Sequence, residues 1–425
     1  MANIAIIGTG YVGLSSGACF AKLGHKVVCV DVIQLKIDNL NNGILPIVEM
    51  GLEDLVSEGV IAGLLTFTTD VRDAVKDAEI VFLCVPTPEG EDGNADLSYI
   101  QSAAKTLSPL LCSGAVVVNK STVPVGSTKV VEQELKRPDI SVVSNPEFLR
   151  EGSAIQDFLN PDRIVVGSEN QEAAVRVAEL YKNLGAPVVV TDPASAETIK
   201  YAANAFLATK ISYVNAVAAI CEGVGADIND VVLGLGYDKR IGHEFLRPGP
   251  GWGGSCFPKD TKAMVKIAQD AGYDFGLLKG VITVNEQQYE RIINKIRIAA
   301  GGILKDKKVA SLGLTFKALT DDLRDSPAVE IVSRLLAAGA LVSVYDPTVH
   351  SVPKGLEGAL LAVSSFEACN GADVIAILTE WDEFRWIKPS EFAAVVNSKK
   401  IIDARNLLDK NEWQRAGFYY EGIGR

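Results

Sequence analysis

Asn3-Ile4-Ala5-Ile6-Ile7 is a short apolar run that ends in Gly8-Thr9-Gly10-Tyr11-Val12-Gly13. A helical pattern continues to Leu23-Gly24, and a second apolar run, Lys26 to Val30, ends at Asp31. Few features constrain a fold more. Strand, glycine-rich turn, helix, strand and acid are the order of a βαβ unit that holds a dinucleotide. The glycines let backbone approach a pyrophosphate, the helix N-terminus offers its N–H groups, and Asp31 can accept from a ribose 2′-hydroxyl. An acid at that point repels a 2′-phosphate, so the expected cofactor is NAD rather than NADP.

Further strand-like runs lie at 79–85, 115–119, 140–144, 163–167 and 187–190, most of them separated by helical patterns. This alternation predicts a doubly wound parallel sheet, whose ligands sit at the carboxyl ends of the strands. Pro86-Thr87-Pro88, Lys120 to Pro124 and Asn145-Pro146-Glu147 all fall at such ends and are expected to line one cleft. From Ser195 to about Glu222 the chain turns Ala-rich and helical, and a further helical region runs from Gly272 to about Ala300. Strand–helix alternation restarts beyond Lys307, at 308–313, 341–346, 374–378 and 401–403. The predicted fold is α/β: two Rossmann-like doubly wound domains joined by a long central helix and a helical linker region. The expected divisions are 1–194, 195–302 and 303–425.

Composition narrows the partners. The 425 residues carry a net charge of −12 and no basic run, which argues against nucleic acid or an anionic membrane. Seven scattered cysteines without a C-x-x-C predict reduced thiols in the cytoplasm, with neither disulfides nor a metal site. The N-terminus enters a strand at once, so no signal peptide is expected, and no uninterrupted apolar run approaches membrane-spanning length.

The chemistry gathers around Gly253-Gly254-Ser255-Cys256-Phe257-Pro258-Lys259-Asp260. Pro258 and the apolar periodicity to Gly272 predict a helix that begins at the cysteine. The helix dipole and Lys259 would favour thiolate over thiol, and Asp260 would share a helix face with Cys256. The plainer alternative is a buried, inert cysteine. Glu147 with Glu151, behind Asn145 and Pro146, is expected on a helical turn, and Lys200 with Asn204 on the long helix. A thiolate adds to an aldehyde, the adduct can lose hydride to NAD, and water can cleave the resulting thioester to an acid. A lysine and an amide would steady the oxyanions while carboxylates handle protons. A two-electron dehydrogenase would leave the cysteine without a task. In the second α/β domain Lys317 and Arg324 stand beyond a strand, where an anionic ligand fits.

These motifs, in this order, resemble the nucleotide-sugar 6-dehydrogenases of the UDP-glucose/GDP-mannose dehydrogenase family. The resemblance runs from the N-terminal fingerprint through Ser-Thr-Val-Pro at 121–124, Asn-Pro-Glu-Phe-Leu-Arg-Glu-Gly at 145–152 and the cysteine motif to Thr-Phe-Lys at 315–317. It implies four-electron oxidation of a sugar C6 alcohol to a carboxylate with two NAD. Cys256 would be the nucleophile, Lys200 the oxyanion stabiliser with Asn204, Asp260 and Thr122 the pair that positions water, and Glu147 the general base. Glu151 would sit near cofactor and sugar.

For the cofactor the resemblance implies Gly8, Gly10, Tyr11, Val12, Gly13, Asp31, Lys36, Thr87, Thr122, Glu151, Lys259 and Arg324. For the sugar nucleotide it implies Glu147, Phe148, Leu149, Arg150, Glu151, Lys200, Asn204, Phe245, Leu246, Arg247, Gly249, Gly253, Gly254, Phe316, Lys317 and Arg405. It also implies a homodimer along the central helix. Gly249-Pro250-Gly251-Trp252 and Tyr201 to Leu207 favour UDP-glucose as substrate, with GDP-mannose the alternative. One departure is Val48 and Met50, where the family usually carries Tyr and Pro. A noncatalytic NAD-binding regulator is the rival of another class.

Overall fold

Eight short strands pair into one sheet: β1 (Asn3–Ile7), β2 (Lys26–Val30), β3 (Leu65–Thr68), β4 (Ile80–Leu83), β5 (Val116–Asn119), β6 (Ser141–Ser144), β7 (Ile164–Gly167) and β8 (Val188–Thr191). The computed structural model describes residues 1–88, 90 and 95–425. The strand order is β3-β2-β1-β4-β5-β6-β7-β8. Every residue of β4, β5 and β7 is buried, which is why these strands are unbroken apolar runs in the sequence. Helices cover the sheet, and the strand order reverses between the neighbours β1 and β4, the switch point where such sheets bind ligands. One expectation fails. The sheet is not wholly parallel, because β7 runs antiparallel to β6.

A second sheet forms from β9 (Lys308–Leu312), β10 (Leu341–Tyr345), β11 (Leu360–Leu361), β12 (Val374–Ile377), β13 (Lys400–Asp403) and β14 (Tyr419–Glu421). Its order, β11-β10-β9-β12-β13-β14, repeats that of the first six strands of the first sheet, and each pair is parallel. Backbone contacts divide the chain into two units. One comprises Met1–Ala203 with Lys262–Ala271, the other Asn204–Thr261 with Gly272–Arg425.

The central helix, Pro193–Val224, starts on a proline, as suits a first turn. No membrane-spanning run was expected, yet by length and composition this helix could cross one. In the folded chain 44% of its apolar window is buried in protein, and its Glu197 and Lys200 are buried in hydrogen bonds. The cysteine helix spans Phe257–Asp270. A third long helix, Gly276–Ala299, packs Ile292, Ile293 and Ile296 into the core of the second unit.

Candidate active site

The glycine-rich turn behaves as its sequence requires. Gly8 has φ of 105°, and a Cβ there would lie 2.4 Å from the carbonyl oxygen of Cys84. Gly10, at the N-terminus of the helix Tyr11–Lys22, has open space on its Cβ side, room for a phosphate to approach the backbone. At the end of β2, Asp31 Oδ2 accepts from Thr9 N at 3.1 Å, Thr9 Oγ1 at 2.7 Å and Lys36 Nζ at 3.1 Å, while Oδ1 accepts from Ile33 N at 3.1 Å. Burial would raise its pKa, but these donors outweigh burial and hold it below the ordinary range. A second lone pair on Oδ1 remains for a ribose hydroxyl.

The second sheet has the same plan with a different outcome. Asp346, at the end of β10, accepts from Leu314 N, Thr315 N, Thr315 Oγ1 and Trp381 Nε1 at Oδ2, and from Thr348 N and Oγ1 at Oδ1. Six donors fill a carboxylate that has about four lone-pair sites. This acid cannot take a ribose, so the dinucleotide belongs to the first unit.

Three strand-end loops meet in the first unit, as expected. Thr87 Oγ1 donates to Thr122 O at 3.0 Å, Ser121 Oγ to Val85 O at 2.7 Å, and Lys120 Nζ to Asn145 Oδ1 at 3.2 Å. The expected helical turn after Asn145 is absent, since 145–150 is irregular. Asn145 does not cap a helix. Its amide donates to Val165 O at 2.7 Å, and its oxygen accepts from Lys120 and from the Tyr181 hydroxyl. Glu147 and Glu151 therefore share no helix face. Glu147 is buried and accepts from Leu149 N at 2.6 Å and from Lys200 Nζ at 2.9 Å. Burial pushes its carboxyl up, but the Lys200 ammonium leads the groups that hold it below the ordinary range. Phe148 carries the Arg163 guanidinium 3.6 Å above its ring. Arg150 pairs with Asp157 at 2.6 Å.

In the second unit Cys256 stands just before the cysteine helix, and its carbonyl accepts the first helical bond from Asp260 N at 2.9 Å. The thiol is half-buried with Ser255 Oγ 3.6 Å away, whereas Cys19 and Cys84 are buried and pushed up to about 12. Asp260 is fully buried. It accepts from Asn204 Nδ2 at 2.6 Å and from Lys259 Nζ at 2.6 Å, so Lys259 is tied to this carboxylate. Lys200, one turn before Asn204 on the central helix, belongs to the first unit.

The expected sugar-nucleotide residues of this unit fall around one loop. Gly249 is held by Asn215 Oδ1 and Gln288 Nε2, at 2.9 and 2.7 Å. Gly254 has φ of 81°, and a Cβ there would press on the Phe316 ring at 2.8 Å, while Gly253 lies tight against Asp325. Arg405 donates to Phe316 O at 2.8 Å, the Lys317 ammonium lies 5.5 Å from the Phe316 ring, and Arg324 forks onto Asp322 at 2.9 and 2.7 Å. Phe245 is half-buried and Arg247 exposed, but the side chain of Leu246 belongs to the core.

Comparison with known proteins fits this geometry. The sequence matches the UDP-glucose/GDP-mannose dehydrogenase family over its NAD binding domain at 2–185, its central domain at 194–287 and its UDP binding domain at 310–410. The chain belongs to that family. It is similar to the UDP-glucose 6-dehydrogenase TuaD of Bacillus subtilis, 46% identical over all of this chain and 94% of that one. It is also similar to the UDP-glucose 6-dehydrogenase of Rhizobium meliloti, 46% identical over 100% and 99%. Among solved structures, a UDP-glucose dehydrogenase from Pyrobaculum islandicum matches with a TM-score of 0.91 at 35% identity, covering 100% of this chain and 98% of that one. The chain is thus an NAD-dependent dehydrogenase with a nucleotide-sugar substrate.

Three buried charges have roles that the sequence reading did not assign. Lys120 lies among Asn145, Tyr181 and Phe158, and burial brings its pKa down to about 8. Glu197 accepts from Gly126 N and Thr128 N, at 2.6 and 3.0 Å, tying the 121–126 loop to the central helix. Glu49 is the third. Of the three, only Glu49, between Val48 and Met50, stands out in the sequence as a charge inside an apolar run.

Proposed function

We propose that this protein oxidises C6 of UDP-glucose to the carboxylate of UDP-glucuronate, as a cytoplasmic homodimer. The observation that carries the reading is Cys256, half-buried at a helix start with Asp260 and Asn204 bonded beside it, in a dehydrogenase that needs no cysteine for a two-electron step. Its relatives named UDP-glucose 6-dehydrogenase favour this sugar nucleotide. The overall change consumes one alcohol, two NAD and one water, and yields one carboxylate, two NADH and three protons.

NAD, when bound, accepts a hydride at each oxidation. Gly8, Gly10, Tyr11, Val12, Gly13, Asp31, Lys36, Thr87 and Thr122 would hold it, with Glu151, Lys259 and Arg324 as further contacts. The Cys256 sulfur adds to the aldehyde carbon, and the second oxidation leaves the carbon as a thioester. Lys200, helped by the Asn204 amide, stabilises the oxyanions. Water positioned by Thr122 and Asp260 attacks the thioester, Glu147 takes its proton, and the thiolate leaves. Lys200 pairs with Glu147 before the reaction. As Lys200 turns to an oxyanion, Glu147 loses the cation that depresses its pKa and becomes a better base. Phe148, Leu149 and Arg150 of the first unit, and the loop 245–254, Phe316, Lys317 and Arg405 of the second, would contact the sugar nucleotide.

Purified protein given NAD with UDP-glucose, and separately with GDP-mannose, tests the reading by counting NADH per sugar consumed. Two per UDP-glucose and none with GDP-mannose is the expected result. One per sugar, or turnover of GDP-mannose alone, would overturn it.

A further inference from the structure

Glu49 sits between the helices Gln34–Asn41 and Leu52–Ile61, in the loop where Val48 and Met50 depart from the family's pattern. Its neighbours Val48 and Met50 are exposed, yet Glu49 is 8% exposed. Leaving a carboxylate that deep requires strong partners. Oε1 accepts from Ala154 N at 2.8 Å, and Oε2 accepts from Gly152 N at 2.7 Å and from the Tyr11 hydroxyl. The Gly152 N–H also points at the Tyr11 oxygen, 2.8 Å away. Burial, then Glu49, raises the Tyr11 pKa well above its ordinary value, so the phenol stays a donor. These partners are far apart in sequence. Tyr11 begins the helix of the cofactor turn, whereas Gly152 and Ala154 close the segment that carries Glu147, Phe148 and Glu151.

We infer that Glu49 is a positioning residue for this oxidation: its carboxylate fastens the end of the Asn145–Gly152 segment to the first residue of the cofactor helix. The segment is held at Asn145 by Lys120 and Tyr181, at Glu147 by Lys200, and at Gly152 by Glu49. Glu151 lies between the second and third of these anchors, next to Arg150, whose backbone N–H and guanidinium are held by Asp157, so releasing Glu49 loosens the last turn of the segment rather than freeing it. The inference rests on the function proposed above for its effect on turnover, but its structural part does not.

Glu49→Gln keeps the side chain's size and exchanges one acceptor oxygen for a donor, which then faces an N–H. Turnover on UDP-glucose is expected to fall about tenfold, the worth of one charge-assisted hydrogen bond. Amide exchange in a peptide spanning 150–155 is expected to quicken about tenfold, while peptides from β5 and β6 exchange as in the wild type. Tyr11→Phe removes the hydroxyl that joins Glu49 to the cofactor helix but leaves the carboxylate on Gly152 and Ala154, so it should quicken exchange in the same peptide, by less than Glu49→Gln, and no quickening would overturn the link to the cofactor helix. Unchanged exchange at 150–155, faster exchange throughout the first unit, or local loosening with unchanged turnover would each overturn the inference. If Glu49→Gln does not fold, Glu49→Asp, which withdraws both oxygens by one methylene, is read in the same two ways. Local loosening in a protein whose wild type fails to make two NADH would count against the proposed function alone.

Discussion

At the scale of single residues, two buried groups make the sharpest statements. The Lys120 ammonium titrates at about 8 in the folded chain against an ordinary 10.5, because burial disfavours its charge. Between those values the unfolded chain holds a proton that the folded chain lacks, so stability rises with pH. Wild type is therefore expected to gain on Lys120→Met as pH climbs from about 8, by roughly 1.4 kcal/mol per unit at most, read by denaturant unfolding. A flat difference would contradict a neutral Lys120. Glu147 works in the opposite sense. Its depressed carboxyl stabilises the fold above the ordinary value of 4.5, and that contribution is lost as pH falls through the folded value. Glu147→Gln removes the Glu147 charge that buried Lys200 pairs with, so it is expected to cost about 3 kcal/mol. It should also slow thioester hydrolysis, so that a covalent sugar adduct accumulates, visible in the intact protein mass; its absence during turnover would remove Glu147 from that step.

At the scale of elements, strands buried on both faces were legible, because burial on both sides selects unbroken apolar runs. The strands left unread are short or half-exposed: β3 alternates buried and exposed residues over Leu65–Thr68, β11 has two residues, and β14 is Tyr419-Tyr420-Glu421. The reversed direction of β7 leaves no trace in periodicity, which is the same for either direction. Asn145 and Pro146 carry the local signs of a helix start, but Asn145 is engaged by Lys120, Val165 and Tyr181, partners 20 to 36 residues away. A local pattern cannot report such partners. The cysteine helix was legible because its signs are local: Pro258 falls in its first turn and Gly272 two residues past its end at Asp270. The central helix exposes Phe206, Tyr213 and Ile220, 64%, 55% and 62% accessible, at seven-residue spacing. We propose that stripe as the seam of the homodimer. Phe206→Asp combined with Ile220→Asp is expected to sediment as a monomer where the wild type sediments as a dimer. A monomeric wild type, or a dimeric double variant, would contradict the seam.

At the scale of the whole molecule, one sheet plan occurs twice and the strand-end acids separate the two copies. Asp31 keeps an acceptor for a ribose, whereas Asp346 is closed by Thr315, Thr348 and Trp381. The sequence shows both acids at the ends of apolar runs but not the donors that surround them, so only the first could be read with its task. The proposed chemistry turns on one atom, the Cys256 sulfur. Its most direct test is product formation by Cys256→Ala with UDP-glucose and NAD. Formation of UDP-glucuronate is expected to fall by about a thousandfold or more, as removal of a covalent nucleophile requires. Steady production of the acid with two NADH per sugar would show that the oxidation does not pass through a cysteine thioester.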